Sequence, residues 1–214
     1  FVDSDDYVTI NTAIEQIYRK AKDNNLCILE SNYLKQEKGN TNILPKRVVL
    51  LKNVLSGKEY WQSIPIASES VCNKLYKTSF LIDNNILFKH RKFEDVSFNA
   101  EAFMKAKRVM NINFIYYKYC VRENSITTSQ PTIQCLVDAY DLIKDMRSLY
   151  YDNSVNEQLK MQYLQTYTRF FRFWHLYNDD QALKIKMKKQ VLGLFYKSRE
   201  LILDSKKMSL KQKI

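Results

Sequence analysis

The first part of the chain alternates short apolar segments with an amphipathic one. Residues 1–2 predict the end of a strand, because they are apolar and run directly into acidic residues. Apolar side chains then recur at helical spacing over residues 14–21, behind Thr12 and Glu15, whose spacing is that of a capping box. Residues 27–29 predict a second strand. The pattern therefore indicates a strand, a helix and a strand in succession.

The middle of the chain continues this alternation. Residues 31–45 are polar and predict an exposed loop, whereas residues 71–76 predict a short strand. A helical turn follows at residues 80–82, and Asp95 is placed to cap the next helix. Residues 109–121 are rich in Ile, Tyr and Phe and predict a long strand. Strands and helices thus alternate up to this point, which is typical of the α/β class.

Beyond Pro131 the pattern becomes helical. Apolar side chains form three successive stripes at helical spacing, over residues 133–146, 159–174 and 183–202. Asn153 and Asn178 separate the three predicted helices. We therefore divide the chain into an α/β part, residues 1–129, and a helical region, residues 130–214.

Composition excludes several kinds of site. The 214 residues are 45% hydrophobic, enough for a core, but contain only three glycines, and no Gly-rich phosphate loop is present. The four cysteines form no CxxC pair and there are only two histidines, so a zinc site has almost no support and free thiols in the cytoplasm are expected. No apolar run reaches transmembrane length, and no signal peptide is visible.

The net charge of +11 predicts an anionic partner, and the charge is concentrated at the end of the chain. From Lys184 to Ile214 there are ten basic residues and two acidic ones. One interpretation is a peripheral helix, within residues 180–214, on the anionic inner face of the cell membrane. The other is a helix packed on the protein with a solvated basic face.

Three segments bear candidate chemistry. Asp3-Ser4-Asp5-Asp6 follows a predicted strand, and its paired carboxylates suit Mg²⁺ or Mn²⁺ carrying a diphosphate, although an ordinary acidic turn would have the same sequence. Glu94-Asp95 lies at a predicted helix start, where Asp95 is either a general base kept ionised by the helix dipole or simply an N-cap. Arg122 and the hydroxyls after it, such as Ser125, either contact phosphate and sugar oxygens or form a polar turn.

Five stretches, taken together and in this order, resemble the family 2 glycosyltransferases, which have the GT-A fold. They are FVDSDDYV (1–8), NKLYKTSFL (73–81), NNILF (84–88), FEDVSF (93–98) and YYKYCVRENSITTS (116–129). The set is most similar to bacterial enzymes that build capsule, lipopolysaccharide or other surface polysaccharides. It implies that residues 1–129 are the second, metal- and acceptor-binding half of a GT-A domain, followed by a C-terminal helical region with a basic tail.

The resemblance implies transfer of a sugar, with inversion, from a nucleotide-sugar donor to a saccharide or lipid-linked acceptor. A UDP-sugar is the expected donor. Asp3 and Asp5 match the DxD motif, which implies that they bind Mn²⁺ or Mg²⁺, with Asp5 as the more direct ligand and Asp3 nearer the ribose or the metal.

Further roles are implied at matching positions only. Asp95 matches the catalytic base and Glu94 its acidic neighbour. Arg122 and Ser125 match a loop that closes over the donor diphosphate. Lys74 matches a recurrent position to which the resemblance assigns no role.

One departure from the family pattern concerns the start of the chain. Family members have a half-domain with the uridine-binding strands before the DxD motif, whereas this sequence begins at Phe1, without Met. We therefore expect a boundary inside a longer enzyme, and no turnover by this stretch alone. Two other classes stay open: a non-catalytic scaffold, and a basic protein that stacks single-stranded nucleic acid on its 15 tyrosines. Since no RRM, KH or helix-turn-helix signature is present, we expect no nucleic-acid partner.

Overall fold

The computed structural model describes residues 1–37, 40–44, 53–64, 69–90, 92–122, 131–153 and 157–199. Its elements confirm the predicted α/β class and the helical C-terminal region. In chain order they are β1 (Tyr7–Val8), α1 (Ala13–Asp23), β2 (Ile28–Glu37), β3 (Asn40–Leu44), α2 (Gly57–Ser63), β4 (Lys74–Tyr76), α3 (Thr78–Asp83), α4 (Glu94–Lys105), β5 (Val109–Cys120), α5 (Ile133–Asp152), α6 (Glu157–Leu176) and α7 (Gln181–Lys197).

The chain forms two compact units. The first, here called the sheet unit, comprises residues 1–87 and 101–129. The second, the helical unit, comprises residues 88–100 and 130–214. The start of α4 thus belongs to the helical unit and its end to the sheet unit.

The sheet unit is built on one mixed sheet with the strand order β1-β5-β2-β3, in which β4 also pairs with β2. The parallel pair of β2 and β5 forms its centre, with register shifts on both sides of Asn32, while the other pairings are antiparallel. The long strand predicted over residues 109–121 is confirmed as β5. Its run of β-branched and aromatic residues suits a strand with neighbours on both sides.

The described residues of the predicted loop 31–45, which are 31–37 and 40–44, form strands instead. β2 continues to Glu37, and β3 returns antiparallel to it, from Tyr33 opposite Leu44 to Glu37 opposite Asn40. The side chains of β2 are buried up to Asn32 and become half-exposed or exposed beyond it. The hairpin is polar because it leaves the core, and this polarity gave the wrong prediction.

The predicted start of the chain is also corrected. Residues 1–2 are exposed and form no strand, and the strand of this region is β1. Thr12 precedes α1 but its side chain caps no backbone N–H, so the predicted capping box is absent. Its hydroxyl instead accepts a hydrogen bond from the Gln16 side chain at 3.0 Å.

Aromatic side chains fill the core of the sheet unit. The ring of Phe103, on α4, stacks on Tyr60 and on Trp61 of α2, with centroids 5.4 and 5.3 Å away. Gly57 permits this close approach, because a Cβ at this position would lie 1.9 Å from the carbonyl oxygen of Phe103. α1 covers the sheet unit with the buried side chains of Ala13 and Ile17.

The helical unit confirms the three predicted helices, which are α5, α6 and α7, and Asn153 and Asn178 lie between them as predicted. The apolar stripes of α5 and α6 are largely buried, whereas that of α7 is buried only at Met187 and Val191, and Leu201 and Ile202 lie outside the described residues. Tyr163 lies in this core with its hydroxyl 2.7 Å from that of Tyr167. In the part of the chain that the structure describes, no helix is both long and apolar enough to cross a membrane.

Candidate functional site

The segment Asp3–Asp6, here called the acidic turn, is a tight turn that directly precedes β1 and lies beside the last residues of β5. The amide of Asp6 donates to the carbonyl oxygen of Asp3 at 3.1 Å, which closes the turn with Ser4 and Asp5 at its centre. β1 follows at once and pairs antiparallel with the last residues of β5. Asp3 is exposed and Asp5 half-exposed, so both carboxylates are accessible to a ligand from solvent.

Arg122 lies beside the acidic turn. Its Nε is 3.4 Å from Oδ2 of Asp5, and the two side chains are 59% and 33% exposed. The contact follows from topology, because Arg122 comes two residues after the end of β5. The structure thus brings together three of the predicted donor-binding residues, Asp3, Asp5 and Arg122, while Ser125 lies outside the described residues. An ion pair this exposed contributes about 0–1 kcal/mol, so a ligand can displace it at small cost.

Asp6, the last residue of the acidic turn, is bound to β5. Its Oδ1 accepts a hydrogen bond from the backbone amide of Cys120 at 2.7 Å, and its Oδ2 accepts one from the hydroxyl of Tyr117. Burial, together with this hydrogen bond to Asp6, raises the pKa of Tyr117 well above its usual value. The hydroxyl therefore keeps its proton and can act as a donor throughout the physiological range.

A thiol contacts the first carboxylate of the acidic turn. Sγ of Cys72 is 3.7 Å from Oδ2 of Asp3. Burial, with the negative charge of Asp3, raises the pKa of Cys72 to about 11, so the group is a neutral thiol that donates to the carboxylate. The carbonyl oxygen of Cys72 accepts a hydrogen bond from the hydroxyl of Tyr116, which ties this segment to β5.

Lys74 is buried in the sheet unit. Its Nζ lies 3.2 Å from Oε1 of Glu30, donates to the carbonyl oxygen of Ser70 at 2.6 Å and to Oδ1 of Asn73 at 3.1 Å. The hydroxyl of Tyr60 donates to the other oxygen of Glu30. Because the Lys74 side chain is 0% exposed, the structure places it in a polar core that holds β2, β4 and α2 together.

Glu94 and Asp95 lie in the helical unit. α4 begins at Glu94, so Asp95 lies in its first turn and is not the N-cap. Both residues are half-buried, and the positive end of the helix dipole favours their ionised forms. Phe93, just before the helix, has φ 62°, a left-handed conformation that turns the chain into α4. The catalytic roles of Glu94 and Asp95 stay predictions.

The segment that leads into α4 is anchored to α5. The amide of Lys92 donates to Oδ2 of the buried Asp138 at 3.0 Å. Nε2 of His90 lies 3.0 Å from Oδ2 of Asp145, and the hydrogen bond to this imidazole lowers the pKa of Asp145. These contacts fix the position at which the first turn of α4 starts within the helical unit.

The acidic turn fits a metal ion that is shared with a phosphate ligand. Within the described residues, no group of three or more His, Cys, Asp or Glu is arranged to enclose a metal. Asp3 and Asp5 nevertheless offer accessible hard oxygen ligands, whereas the oxygens of Asp6 are engaged by β5. Mg²⁺ and similar ions need only one or two protein carboxylates when substrate phosphates and water complete their coordination.

Sequence reasoning missed Asp6, Tyr117 and Cys72. The aspartate at the fourth position of the turn and the tyrosines of β5 were visible in the sequence. Their pairing was not visible, because Asp6 and Cys120 are separated by 114 positions.

Comparisons with known proteins concern the sequence and the fold of the chain. No family model matches the chain. The chain is 30% identical over 134 residues to the glycosyltransferase EpsJ of Bacillus subtilis, an alignment that covers 59% of this chain and 38% of EpsJ. A crystal structure of S. aureus TarS, residues 1–349, is 17% identical, with a TM-score of 0.56 over 95% of this chain and 57% of TarS. The predicted resemblance to glycosyltransferases is confirmed.

The likeness to TarS extends to the fold of nearly the whole chain. A second TarS structure, in complex with UDP-GlcNAc, is 19% identical and gives a TM-score of 0.48 over 81% of this chain and 48% of that one. The chain spans little more than a third of the length of EpsJ, 38%.

Proposed function

We propose that this chain is the metal- and acceptor-binding part of an inverting glycosyltransferase of bacterial cell-surface polysaccharide synthesis. The enzyme would move a sugar from a nucleotide-sugar donor to a saccharide or lipid-linked acceptor. The acidic turn is the observation that supports this most directly, since it presents two accessible carboxylates beside Arg122 in a chain similar to EpsJ. The scaffold and nucleic-acid interpretations are less favoured, because neither accounts for this arrangement.

Asp3 and Asp5 would hold Mn²⁺ or Mg²⁺. When bound, the ion would supply positive charge to the donor diphosphate as it leaves. Arg122 would supply a second positive charge: its guanidinium now pairs with Asp5, and its exposed N–H groups suit the oxygens of a diphosphate. TarS has been crystallised with UDP-GlcNAc and with UDP, and a UDP-sugar is the donor that we propose here.

Asp95 would act as the general base, an assignment that rests on the matching motif. Its carboxylate would take the proton of an acceptor hydroxyl while that oxygen forms a bond to the anomeric carbon. The bond from this carbon to the nucleotide diphosphate would break on the opposite face, which inverts the configuration. Glu94 would add negative charge beside the base. Asp95 lies in the first turn of α4, where the positive end of the helix dipole helps to keep its carboxylate ionised.

We further propose that the end of the chain touches the membrane that holds the acceptor. The described part of this region, α7, exposes Ile185 (52%) and Tyr196 (65%) and is rich in lysine. Residues 200–214 lie outside the described residues. Sedimentation with anionic vesicles, but not with neutral ones, is the expected result. Equal recovery with both kinds of vesicle, or none, would contradict membrane contact.

Calorimetric titration of UDP, with and without Mn²⁺, tests the donor site. It is performed on these residues and on the full chain encoded by the source gene, with Asp5→Ala as the site variant and Asp23→Ala, an exposed residue at the end of α1, as the control. We expect the full chain to bind UDP in a Mn²⁺-dependent manner. Asp5→Ala should abolish this binding, and Asp23→Ala should preserve it. Absence of nucleotide binding by the full chain, combined with salt-sensitive binding of single-stranded oligonucleotide, would favour the nucleic-acid interpretation instead.

The base is tested separately. Asp95→Asn in the full chain should lower turnover by about 10²–10⁴, because removal of a general base typically has this effect. UDP binding should be retained, since Asp95 is assigned to the acceptor. Near-native turnover of Asp95→Asn would show that this aspartate is not the base.

A further inference from the structure

Both oxygens of the Asp6 carboxylate accept hydrogen bonds from β5. Oδ1 receives the amide of Cys120 at 2.7 Å, and Oδ2 receives the hydroxyl of Tyr117. Tyr117 is 1% exposed, so its ring is held by the core and its hydroxyl cannot easily follow a moving partner. Asp6 therefore joins the acidic turn to a rigid part of the sheet at two points.

The same contacts reach the two groups assigned to the metal. The hydroxyl of Tyr117 also accepts a hydrogen bond from the amide of Asp3 at 3.4 Å, and the amide of Asp6 closes the turn on Asp3 at 3.1 Å. Asp5 lies between these two fixed residues. Consequently neither Asp3 nor Asp5 can shift far from β5 while Asp6 and Tyr117 keep their contacts.

The contacts of Asp6 with Tyr117 and Cys120, here called the clamp, also determine where Arg122 lies relative to the acidic turn. Arg122 follows two residues after Cys120, whose amide is bound by Asp6, and its Nε lies 3.4 Å from Oδ2 of Asp5. The distance between the carboxylates of the turn and the guanidinium is thus set by a short path through Asp6. No comparably short covalent path exists, because Asp6 and Cys120 are separated by 114 positions.

We infer that Asp6 and Tyr117 are positioning residues that hold Asp3 and Asp5 at a fixed distance from Arg122, and that Asp6 is not itself a metal ligand. The inference rests on the proposed function, in which these three side chains bind the metal and the donor diphosphate. It separates the acidic turn into two ligands and one anchor. The anchor acts through the geometry of the others, so its loss reduces the rate of transfer more than the binding of substrate.

The test uses Asp6→Asn, Tyr117→Phe and the double variant in the full chain. An asparagine keeps the size of Asp6 but has one acceptor oxygen instead of two, so it cannot accept from both Cys120 and Tyr117, while phenylalanine removes only the hydroxyl of Tyr117. We expect each single variant to lower kcat by about 10- to 100-fold, with a smaller change in donor KM, because small displacements of reacting groups have effects of this size. The double variant should be little worse than either single one, since both break the same clamp.

Two measurements do not depend on turnover. Amide exchange of Cys120, followed by NMR, should accelerate by about tenfold or more in Asp6→Ala, because this variant, unlike Asp6→Asn, removes every oxygen that could accept from the amide. Mn²⁺ binding in the presence of UDP, followed by electron paramagnetic resonance, should be weakened much less by Asp6→Asn than by Asp5→Asn. Asp23→Asn and Tyr18→Phe, at exposed positions of α1, are the matched controls and should leave all these values unchanged.

Each result decides the inference. Native kcat in Asp6→Asn, unchanged exchange of Cys120, or a loss of Mn²⁺ affinity equal to that of Asp5→Asn would overturn it, the last by making Asp6 a ligand. A parallel fall of kcat, Mn²⁺ affinity and thermal stability would reduce Asp6 to a general structural role and overturn it as well. Failure of the wild-type chain to bind Mn²⁺ and UDP would instead refute the proposed function, while Cys120 exchange would still report whether the clamp exists.

Discussion

The buried pair of Lys74 and Glu30 leads to a sharp prediction about stability. In Lys74→Met the apolar part of the side chain is preserved, but Glu30, 8% exposed, loses the cation 3.2 Å from its Oε1. Removal of one partner of a buried ion pair costs about 3–5 kcal/mol, because the remaining charge is left without compensation. We expect the lower part of this range, since Tyr60 still donates to Glu30.

The magnitude follows from what the ammonium group of Lys74 contacts. Besides Glu30 it donates to the carbonyl oxygen of Ser70 at 2.6 Å and to Oδ1 of Asn73 at 3.1 Å, so these two acceptors also lose a donor. A loss of about 3 kcal/mol is a large share of the 5–15 kcal/mol by which a typical domain is stable. The free energy of unfolding should fall accordingly in urea titrations followed by circular dichroism.

A second variant keeps the reasoning testable if Lys74→Met is too unstable to study. Lys74→Met combined with Glu30→Gln removes both charges and should recover at least half of the loss, because the uncompensated carboxylate is gone. Lys77→Met is the matched control: it lies in the same segment but is exposed, and its effect should stay within about 0.5 kcal/mol. A loss below about 1 kcal/mol in Lys74→Met, or no recovery in the double variant, would refute the argument.

Two further predictions concern packing and pH. Gly57→Ala places a Cβ 1.9 Å from the backbone oxygen of Phe103 and should lower the free energy of unfolding by about 1–3 kcal/mol, whereas Gly193→Ala, with no atom within 4 Å, should be neutral or stabilising. The thermal midpoint should therefore fall in Gly57→Ala and stay unchanged or rise in Gly193→Ala, and equal shifts would contradict the packing argument. The hydrogen bond to His90 lowers the pKa of Asp145 in the folded protein, so its stabilising effect is present above the unfolded pKa and is lost as pH falls through the folded one. Asp145→Asn should accordingly destabilise the protein near neutral pH and converge with wild type in acid, and a pH-independent difference would refute this linkage.

Local patterns in the sequence determined much of the fold. The three helices of residues 133–197 follow from stripes at helical spacing, and β5 follows from a long run of β-prone residues, since both signals depend on neighbouring residues alone. The resemblance to glycosyltransferases likewise rested on short stretches, of which Asp3, Asp5 and Arg122 prove to lie together.

Where polarity and burial disagree, local patterns failed. The polar residues 31–45 predicted a loop, yet residues 31–37 form the second part of β2 and residues 40–44 form β3, because an exposed strand pair needs no apolar side chains. The reverse holds for Lys74, whose charge suggests a surface position although its side chain is fully buried beside Glu30. In both cases the neighbouring elements decide the outcome, and they are distant in sequence.

The amino-acid sequence by itself therefore determined the class of fold, most of the long elements and the presence of an acidic turn before a helix. Only the tertiary structure decided which acid of that turn is an anchor and which two stay accessible. The reason is topological: β5 returns beside β1, and this pairing brings Tyr117 and Cys120 to Asp6 across 111 and 114 positions of the chain. Contacts at such separations depend on the pairing of the whole sheet, which no local pattern of hydrophobic and polar residues encodes.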